Sequence, residues 1–338
     1  MVTEVSMMKE SLIKVIDRMQ GSEVLIIGDM IADIYLEGTI SRISREAPVL
    51  VLEQASEKVV AGGAANVVNN AATLGGRVHA AGVLGNDTGA TGLSNILSAR
   101  GVDIDGFIRD ALRPTISKTR VIAGGRTTVS QQVVRIDRES KLPLQPEYES
   151  RLVGYLDGVL PKVQGVVFSD YGSGTITDKI LNKILSFCQA HNIPTIVDSR
   201  YDILRFKSVD YVKQNDAELA AAVGRTLTSE DDLIVAGREL LSRMAAKGVL
   251  ITRGGDGMTL FCDDGSVYNI PVSDKSEVFD VSGAGDTCVA TVILALAAGV
   301  DPLSAATLSN IASGIAVRKM GTSVVTVDEL RDFVEKRL

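Results

Sequence analysis

Residues 165–199 read GVVFSDYGSGTITDKILNKILSFCQAHNIPTIVDS. A short apolar run, GVVFSD at 165–170, ends in an acid. A helical stretch, TDKILNKILSFCQAH at 177–191, follows, and a second apolar run, PTIVDS at 194–199, carries another acid near its end. Two such strands joined by a helix form a βαβ unit, in which the strands run parallel. The rhythm continues on both sides. Helix PEYESRLVGYLDGVL at 146–160 comes before it. Strand DYVKQN at 210–215, helix SEDDLIVAGRELLSRMAA at 229–246 and strand GVLITRGGDG at 248–257 come after it. Upstream, EVLIIGDM at 23–30 and RVHAAGVLG at 77–85 read as strands, and 62–76 and 87–102 as helices. IADIYLEGTI at 31–40 and APVLVLEQ at 47–54 have strand composition outside this rhythm, and 115–137 reads as a β-hairpin, so a small separate sheet is expected. Helical stretches from Ala284, Pro302 and Thr326 close the chain. The expected class is α/β, with a mainly parallel central sheet.

Composition agrees with that class. Of 338 residues, 45% are hydrophobic and only 4% aromatic, with no Trp and 32 Gly, so the core is built from small and branched aliphatics, as in parallel sheets under helices. The net charge of −7 comes without a long basic run, which argues against nucleic acid and anionic membrane as partners. The start of the chain mixes acids and lysines and reads as an amphipathic helix over about 4–20, not a leader; the apolar run 287–298 is too short to span a bilayer. Cys188, Cys262 and Cys288 show no paired spacing, which suits reduced core thiols in a cytoplasmic protein. With only His79 and His191, a histidine-based metal site or triad is nearly excluded.

Ligands of open α/β sheets collect beyond the carboxyl ends of strands. Those ends carry Asp29 and Asp33, Asp170, Asp198, Asn215 and Glu218, Thr252 to Gly257, and Asp280 to Asp286. The last of these, DVSGAGD, opens a helix near Ala284. A helix start leaves amides unpaired and adds partial positive charge, so the turn can cradle an anion. Asp286 lies in the first helical turn. A carboxylate beside an anion cradle suits phosphoryl transfer to a hydroxyl. The plainer reading is a tight corner whose acid complements the dipole. The helix start is expected to favour ionised Asp286 and weaken it as a base.

Other motifs have two readings each. GGAAN at 62–66 lacks the dinucleotide glycine spacing; it serves close packing, or places Asn66 against a polyol. Asn215 and Glu218 lie three apart on one helical face; they cap a helix, or order Mg2+ water and phosphate. TRGGDG at 252–257 is a plain turn, or bare backbone under a nucleotide. No P-loop and no protein-kinase motif set occurs.

Taken together, GGAAN, NDAE and DVSGAGD, in that order, resemble the ribokinase-like (PfkB) carbohydrate kinase family, over Val24 to about Val325. The resemblance implies a three-layer α/β/α fold with a sheet of about eight strands. It implies one kinase domain over 1–338, with a β-sheet lid from about 34–60 and 112–138. It implies ATP-dependent phosphorylation of a sugar hydroxyl with Mg2+. By that resemblance Asp286 is the base and Gly283, Ala284 and Gly285 form the anion hole. Asn215 and Glu218 serve Mg2+ and phosphate, and Asn215, Thr252, Gly254, Gly257 and Asn310 meet the nucleotide. Asp33, Gly62, Gly63 and Asn66 match sugar positions. Lys118, Arg120, Gln132 and Asp170 are further substrate candidates. Asp280 and Ser282, with the loop at Gly321, fall where some members bind a monovalent cation such as K+.

Within the family, residues 28–52, 113–123, 131–137 and SDYGSG at 169–174 are similar to heptose 7-phosphate kinases of ADP-heptose synthesis, which act on an anomeric hydroxyl. Arg113, Lys118, Arg120 and Arg126 are then candidates to grip the distal phosphate. Ser173 and Arg200 depart from that pattern, standing where DYGKG and VDPK are usual. Bifunctional relatives add a nucleotidyltransferase domain; with no histidine after His191, that activity is expected to be absent. The alternatives are a kinase for another sugar or sugar phosphate, such as fructose or ribose, and a sugar- or nucleotide-binding regulator without turnover. Unpaired lid edges suggest a homodimer through the lid.

Overall fold

The computed structural model describes residues 2–124, 130–140, 142–273 and 279–337, with residues 2–8 described by backbone alone. Helix α1 (Val2–Arg18) leads into β1 (Glu23–Gly28). The chain then leaves the main sheet for a long antiparallel pair, β2 (Met30–Ile43) and β3 (Leu50–Gly63), and returns through α2 (Ala64–Thr73). Next come β4 (Arg77–Leu84), α3 (Thr88–Ser98), β5 (Asp103–Arg109) and a second excursion, β6 (Ile116–Gly124) and β7 (Gln131–Arg138). The regular half follows: α4 (Pro146–Val159), β8 (Gly165–Asp170), α5 (Asp178–His191), β9 (Thr195–Ser199), β10 (Tyr211–Asn215), α6 (Asp216–Val223), α7 (Glu230–Met244) and β11 (Gly248–Thr252). β12 (Met258–Cys262), β13 (Val267–Ile270), α8 (Ala284–Ala297), α9 (Pro302–Ala316) and α10 (Val327–Arg337) complete the order.

The main sheet has nine strands in the order β13-β12-β11-β10-β9-β8-β1-β4-β5. The seven strands from β11 to β5 are parallel, and β12 pairs antiparallel with both β11 and β13. The expectation of about eight strands fell one short. That count came from the resemblance; read from the residues alone, three strands were not visible: β5, whose DIDGFIR carries two acids and a glycine, and β12 and β13, a meander with no helix to extend the rhythm.

Side chains alternate across the sheet. Val24, Ile26 and Val167 face a core shared with α1, α2, α8 and α9, while Leu25, Ile27, Val166 and Phe168 face one shared with α4, α5 and α7. Burial on both faces explains why β8 as far as Phe168 and most of β1 are apolar without alternation. Helices on both faces make the three layers.

The second sheet has the order β3-β2-β6-β7, with β2 and β6 parallel and the outer pairs antiparallel. Asp33 sits opposite Lys118, and Tyr35 opposite Arg120. The corner at 125–129, with Arg126, lies outside the described residues. Among the described residues, no helix is long and apolar enough to cross a membrane.

β1 hands over to the second sheet at a crowded point. A Cβ on Gly28 would lie 1.9 Å from the Ser169 carbonyl oxygen of β8. Gly28→Ala is therefore expected to cost about 1–3 kcal/mol in urea unfolding through overpacking. Gly154→Ala, mid-helix in α4 with nothing within 4 Å, is expected to stabilise by about 0.5–1 kcal/mol.

Candidate active site

The parallel strands β1, β8, β9, β10 and β11 end on one edge, and α8 begins there. Gly283, its N-cap, has φ 81°, a left-handed conformation that glycine adopts without a Cβ penalty. Space imposes the same choice, because a Cβ there would come within 2.7 Å of Asn66 Nδ2. The first N–H groups of α8 have no acceptor within the helix. That of Ala284 makes a long 3.3 Å contact to the Val281 carbonyl and closes the turn. Gly285 lines two cavities at once.

The larger cavity, about 620 Å³, brings Asn215, Thr252, Gly254, Gly257, Ala284 and Asn310 together. Gly254 and Gly257 take φ 53° and 88°, and a Cβ on Gly257 would strike the Ile270 carbonyl at 2.1 Å. The turn is thus bare backbone by steric demand. Asn310 Nδ2 donates to the Pro271 carbonyl at 2.6 Å and so fixes the opposite wall.

The smaller cavity, about 240 Å³, is lined by Asp170, Tyr171, Asp198, Arg200, Glu218 and Asp286 and shares Lys213, Asn215, Val281 and Gly285 with the larger one. Asp286 is 8% exposed. Its Oδ2 accepts from Asn66 Nδ2 at 2.7 Å, and its Oδ1 from the Tyr171 hydroxyl at 3.3 Å. Burial pushes the carboxyl up to about 6, against the lowering effect of these bonds and of Lys213. This corrects the expectation that the helix start makes Asp286 a weaker base: desolvation disfavours the charge by more than its partners restore. The Asp286 charge, with burial, raises the Tyr171 phenol well above its ordinary value, so Tyr171 is the donor.

Asn215 and Glu218 form a reciprocal capping box on α6, at 2.8 and 2.9 Å. Both also line the smaller cavity, so the cap does not remove them from it. Burial raises the Glu218 carboxyl. Lys213 is the residue that the motif reading missed. It stands in β10, buried, with Nζ 2.8 Å from Asp198. Burial acts to lower its ammonium, but Asp198 and then Glu218 outweigh it and hold the charge. The signal was a lysine inside a short buried strand, two residues before Asn215.

The remaining candidates are more dispersed. Asp170 is buried, held by Ser199 Oγ at 2.6 Å and the Gly172 N–H at 3.2 Å. Asp33 pairs with Arg120 at 2.7 Å, and Gly62 leaves room for it, since a Cβ there would touch Asp33 at 2.5 Å. Gly63 caps α2. Lys118 Nζ lies 5.5 Å above the Tyr171 ring. Gln132 is exposed on β7, opposite Ile122. Asp280 accepts from the Ser282 and Gly321 amides at 2.9 and 3.0 Å, tying the two loops together. Arg113 is not available to a ligand phosphate: it is buried against Asp110 and donates to the Leu142 carbonyl. Asp29, listed among the strand ends by its sequence position, accepts from the N–H groups of Tyr171, Ser173 and Thr175 and shapes that loop.

The profile of the pfkB family carbohydrate kinases matches residues 22–329. The chain belongs to that family. It is 42% identical over 307 residues to the bifunctional protein HldE of Geobacter metallireducens, covering 90% of this chain and 61% of the relative. Against HldE of Azorhizobium caulinodans it is 40% identical over 320 residues, 94% of this chain and 65% of the relative. The chain thus spans less than two thirds of these relatives. The fold is that of Arabidopsis thaliana ribokinase complexed with ribose and ATP, with TM-score 0.72, 18% identity and 94% and 99% of the two chains covered. It is equally that of Escherichia coli phosphofructokinase-2 in complex with potassium, with TM-score 0.73, 20% identity and 94% and 98% covered.

Burial of Asp286 has a stability consequence. Its folded pKa, about 6, lies above the ordinary 3.8. The folded state binds the proton more tightly, so stability falls as pH rises through that window. Asp286→Asn is expected to raise stability at pH 8 by about 2–3 kcal/mol, with the gain vanishing near pH 4, as read by denaturant unfolding at both pH values.

Proposed function

We propose that the protein transfers the γ-phosphoryl group of ATP to the anomeric hydroxyl of D-glycero-D-manno-heptose 7-phosphate. The observation that carries the transfer is the junction of two cavities at Gly285, with Asp286 immediately behind it. The nucleotide takes the larger cavity, against Thr252, Gly254, Gly257 and Asn310. The sugar takes the smaller one. Asp286 accepts the proton of the acceptor hydroxyl as its oxygen bonds to phosphorus, the bond to the ADP oxygen breaks, and ADP leaves. The α8 amides and the Lys213 charge stabilise the moving group. A folded pKa of about 6 suits a base working near neutral pH.

Among the described residues, no group of three or more His, Cys, Asp or Glu could hold a metal alone. Glu218, with one carboxylate oxygen in its cap, and Asn215 fit Mg2+ held mainly by phosphates and water. Mg2+ would supply charge neutralisation on the phosphates. The buried Thr322 hydroxyl has no hydrogen-bond partner among the described residues; it lies beside the loop that Asp280 ties down and supports K+ at that corner.

The heptose phosphate reading rests on the similarity of residues 28–52, 113–123, 131–137 and 169–174 to heptose 7-phosphate kinases. It is supported by Lys118, which among the described residues has no carboxylate in an ion pair. Arg200 lines the acceptor cavity but departs from the pattern of those kinases. Arg120, by contrast, is committed to Asp33. The second sheet acts as the lid, and the exposed Val134 and Ile136 on its edge strand β7 suit a homodimer of the cytoplasmic enzyme. Commitment of Arg120 favours a second reading, a kinase of another sugar or sugar phosphate.

Purified protein with Mg-ATP and a panel of sugars and sugar phosphates separates these readings by ADP release. Asp286→Asn is expected to lose about 10²–10⁴-fold in kcat. In the wild type, kcat/KM falls as pH drops through about 6, where Asp286 takes up its proton. Lys118→Ala is expected to raise KM for a phosphorylated sugar by about 10–100-fold and to leave a neutral sugar nearly unchanged. Equal losses on both would remove the sugar-phosphate assignment.

A further inference from the structure

A chain of buried amides and a hydroxyl lies behind Asp286, and none of its residues lines either cavity. Asn70 Nδ2 donates to the Asn66 main-chain carbonyl at 3.0 Å and to Asn66 Oδ1 at 3.2 Å. Asn70 Oδ1 accepts from Thr287 Oγ1 at 3.0 Å. Asn66 Nδ2 donates to Asp286 Oδ2. Asn66, Asn70 and Thr287 are each 0% exposed.

Donor and acceptor chemistry fixes the direction of this chain. A main-chain carbonyl only accepts, so the Asn70 group facing it is its NH2. That leaves Asn70 Oδ1 toward Thr287, the side from which a hydroxyl proton comes. The same Asn70 NH2 meets the Asn66 side chain, so Asn66 presents its oxygen there and its NH2 to Asp286. Without Asn70, only the charge of Asp286 selects the flip of the Asn66 amide, and a protonated Asp286 accepts either one. In the wrong flip an amide oxygen faces a carboxylate oxygen. Thr287 Oγ1 also lies 3.1 Å from the Gly283 carbonyl, which ties the chain to the α8 turn.

We propose that Asn70 and Thr287 are positioning residues, which lock the Asn66 amide so that its N–H faces the carboxylate of Asp286. They touch no substrate. Their effect on turnover rests on the reading of Asp286 as the base, but their effect on Asp286 does not. The other groups that set its charge are Tyr171 and Asp170 after β8, Asp198 and Arg200 at β9, Lys213 on β10 and Glu218 on α6. None of them belongs to the Asn70 chain, so they form a constant background for the test.

The test is the carboxyl 13C titration of Asp286 in the substrate-free protein, assigned with Asp286→Asn. Loss of a donor to the charged form raises a carboxyl pKa. Asn70→Leu is expected to move the Asp286 midpoint up by about one pH unit, and Thr287→Val to move it up by less. Thr287→Ser, which keeps the hydroxyl, and Asn69→Ala, one residue away on α2, are expected to titrate as wild type. Wild-type midpoints in folded Asn70→Leu and Thr287→Val would overturn the proposal. So would an equal shift in Asn69→Ala, which would mean general loosening of α2. Should Asn70→Leu fail to fold, Thr287→Val against Thr287→Ser decides. A wild-type protein that releases no ADP with any sugar would sink the kinase reading and leave this titration untouched.

Discussion

The carboxyl edge of the main sheet is organised around one desolvated carboxylate. Asp286 has exchanged water for two side-chain donors, Asn66 and Tyr171, and for the nearby Lys213 charge. Burial still dominates, and the group is left less acidic than an ordinary aspartate. That imbalance favours proton acceptance at neutral pH and costs stability in the folded protein. It also explains the crowding around the turn. Gly283 must be glycine both for its left-handed φ and because Asn66 occupies the space a side chain would need. The glycine and the amide are one device seen from two sides.

Charge at the site is arranged in opposed pairs. Lys213 sits between Asp198 and Glu218, and Arg120 is neutralised by Asp33. A buried ion of either sign would be costly alone. Paired, each costs less and is held in place by its partner. Lys118 over Tyr171 and Arg200 at the cavity are not paired in this way. Tyr171 joins these regions, since its ring lies under Lys118 of the second sheet while its hydroxyl meets Asp286.

Much of the architecture was legible because burial on both faces leaves a strong mark. Strands such as β8 are apolar as far as Phe168 and buried throughout, and α5 and α7 between strands identify parallel order. β5 was not legible, because an edge strand tolerates Asp103 and Asp105. β12 and β13 were not legible, because a meander has no helix to announce it. In the site, DVSGAGD, Asn215 and Thr252 to Gly257 were found as strand-end or turn residues with unusual backbone demands. Lys213 was not, because one lysine in DYVKQN looks like the exposed face of an edge strand until the strand is known to be central. Arg113 and Arg120 misled for the converse reason. A cation's partner across the fold is invisible in a linear chain, and Asp110 and Asp33 had already claimed them.

The sequence by itself determined the α/β class, the carboxyl edge as the place where the candidate residues gather, and the turn at Gly283 to Asp286, because backbone sterics and double-sided burial act locally and constrain residue type. Tertiary structure alone decided which groups meet there. Asn66 and Asp286 are 220 residues apart and 2.7 Å from each other. Whether an aspartate ends up a strong acid or a base depends on the water it loses and the donors it gains, and both come from distant segments of the chain.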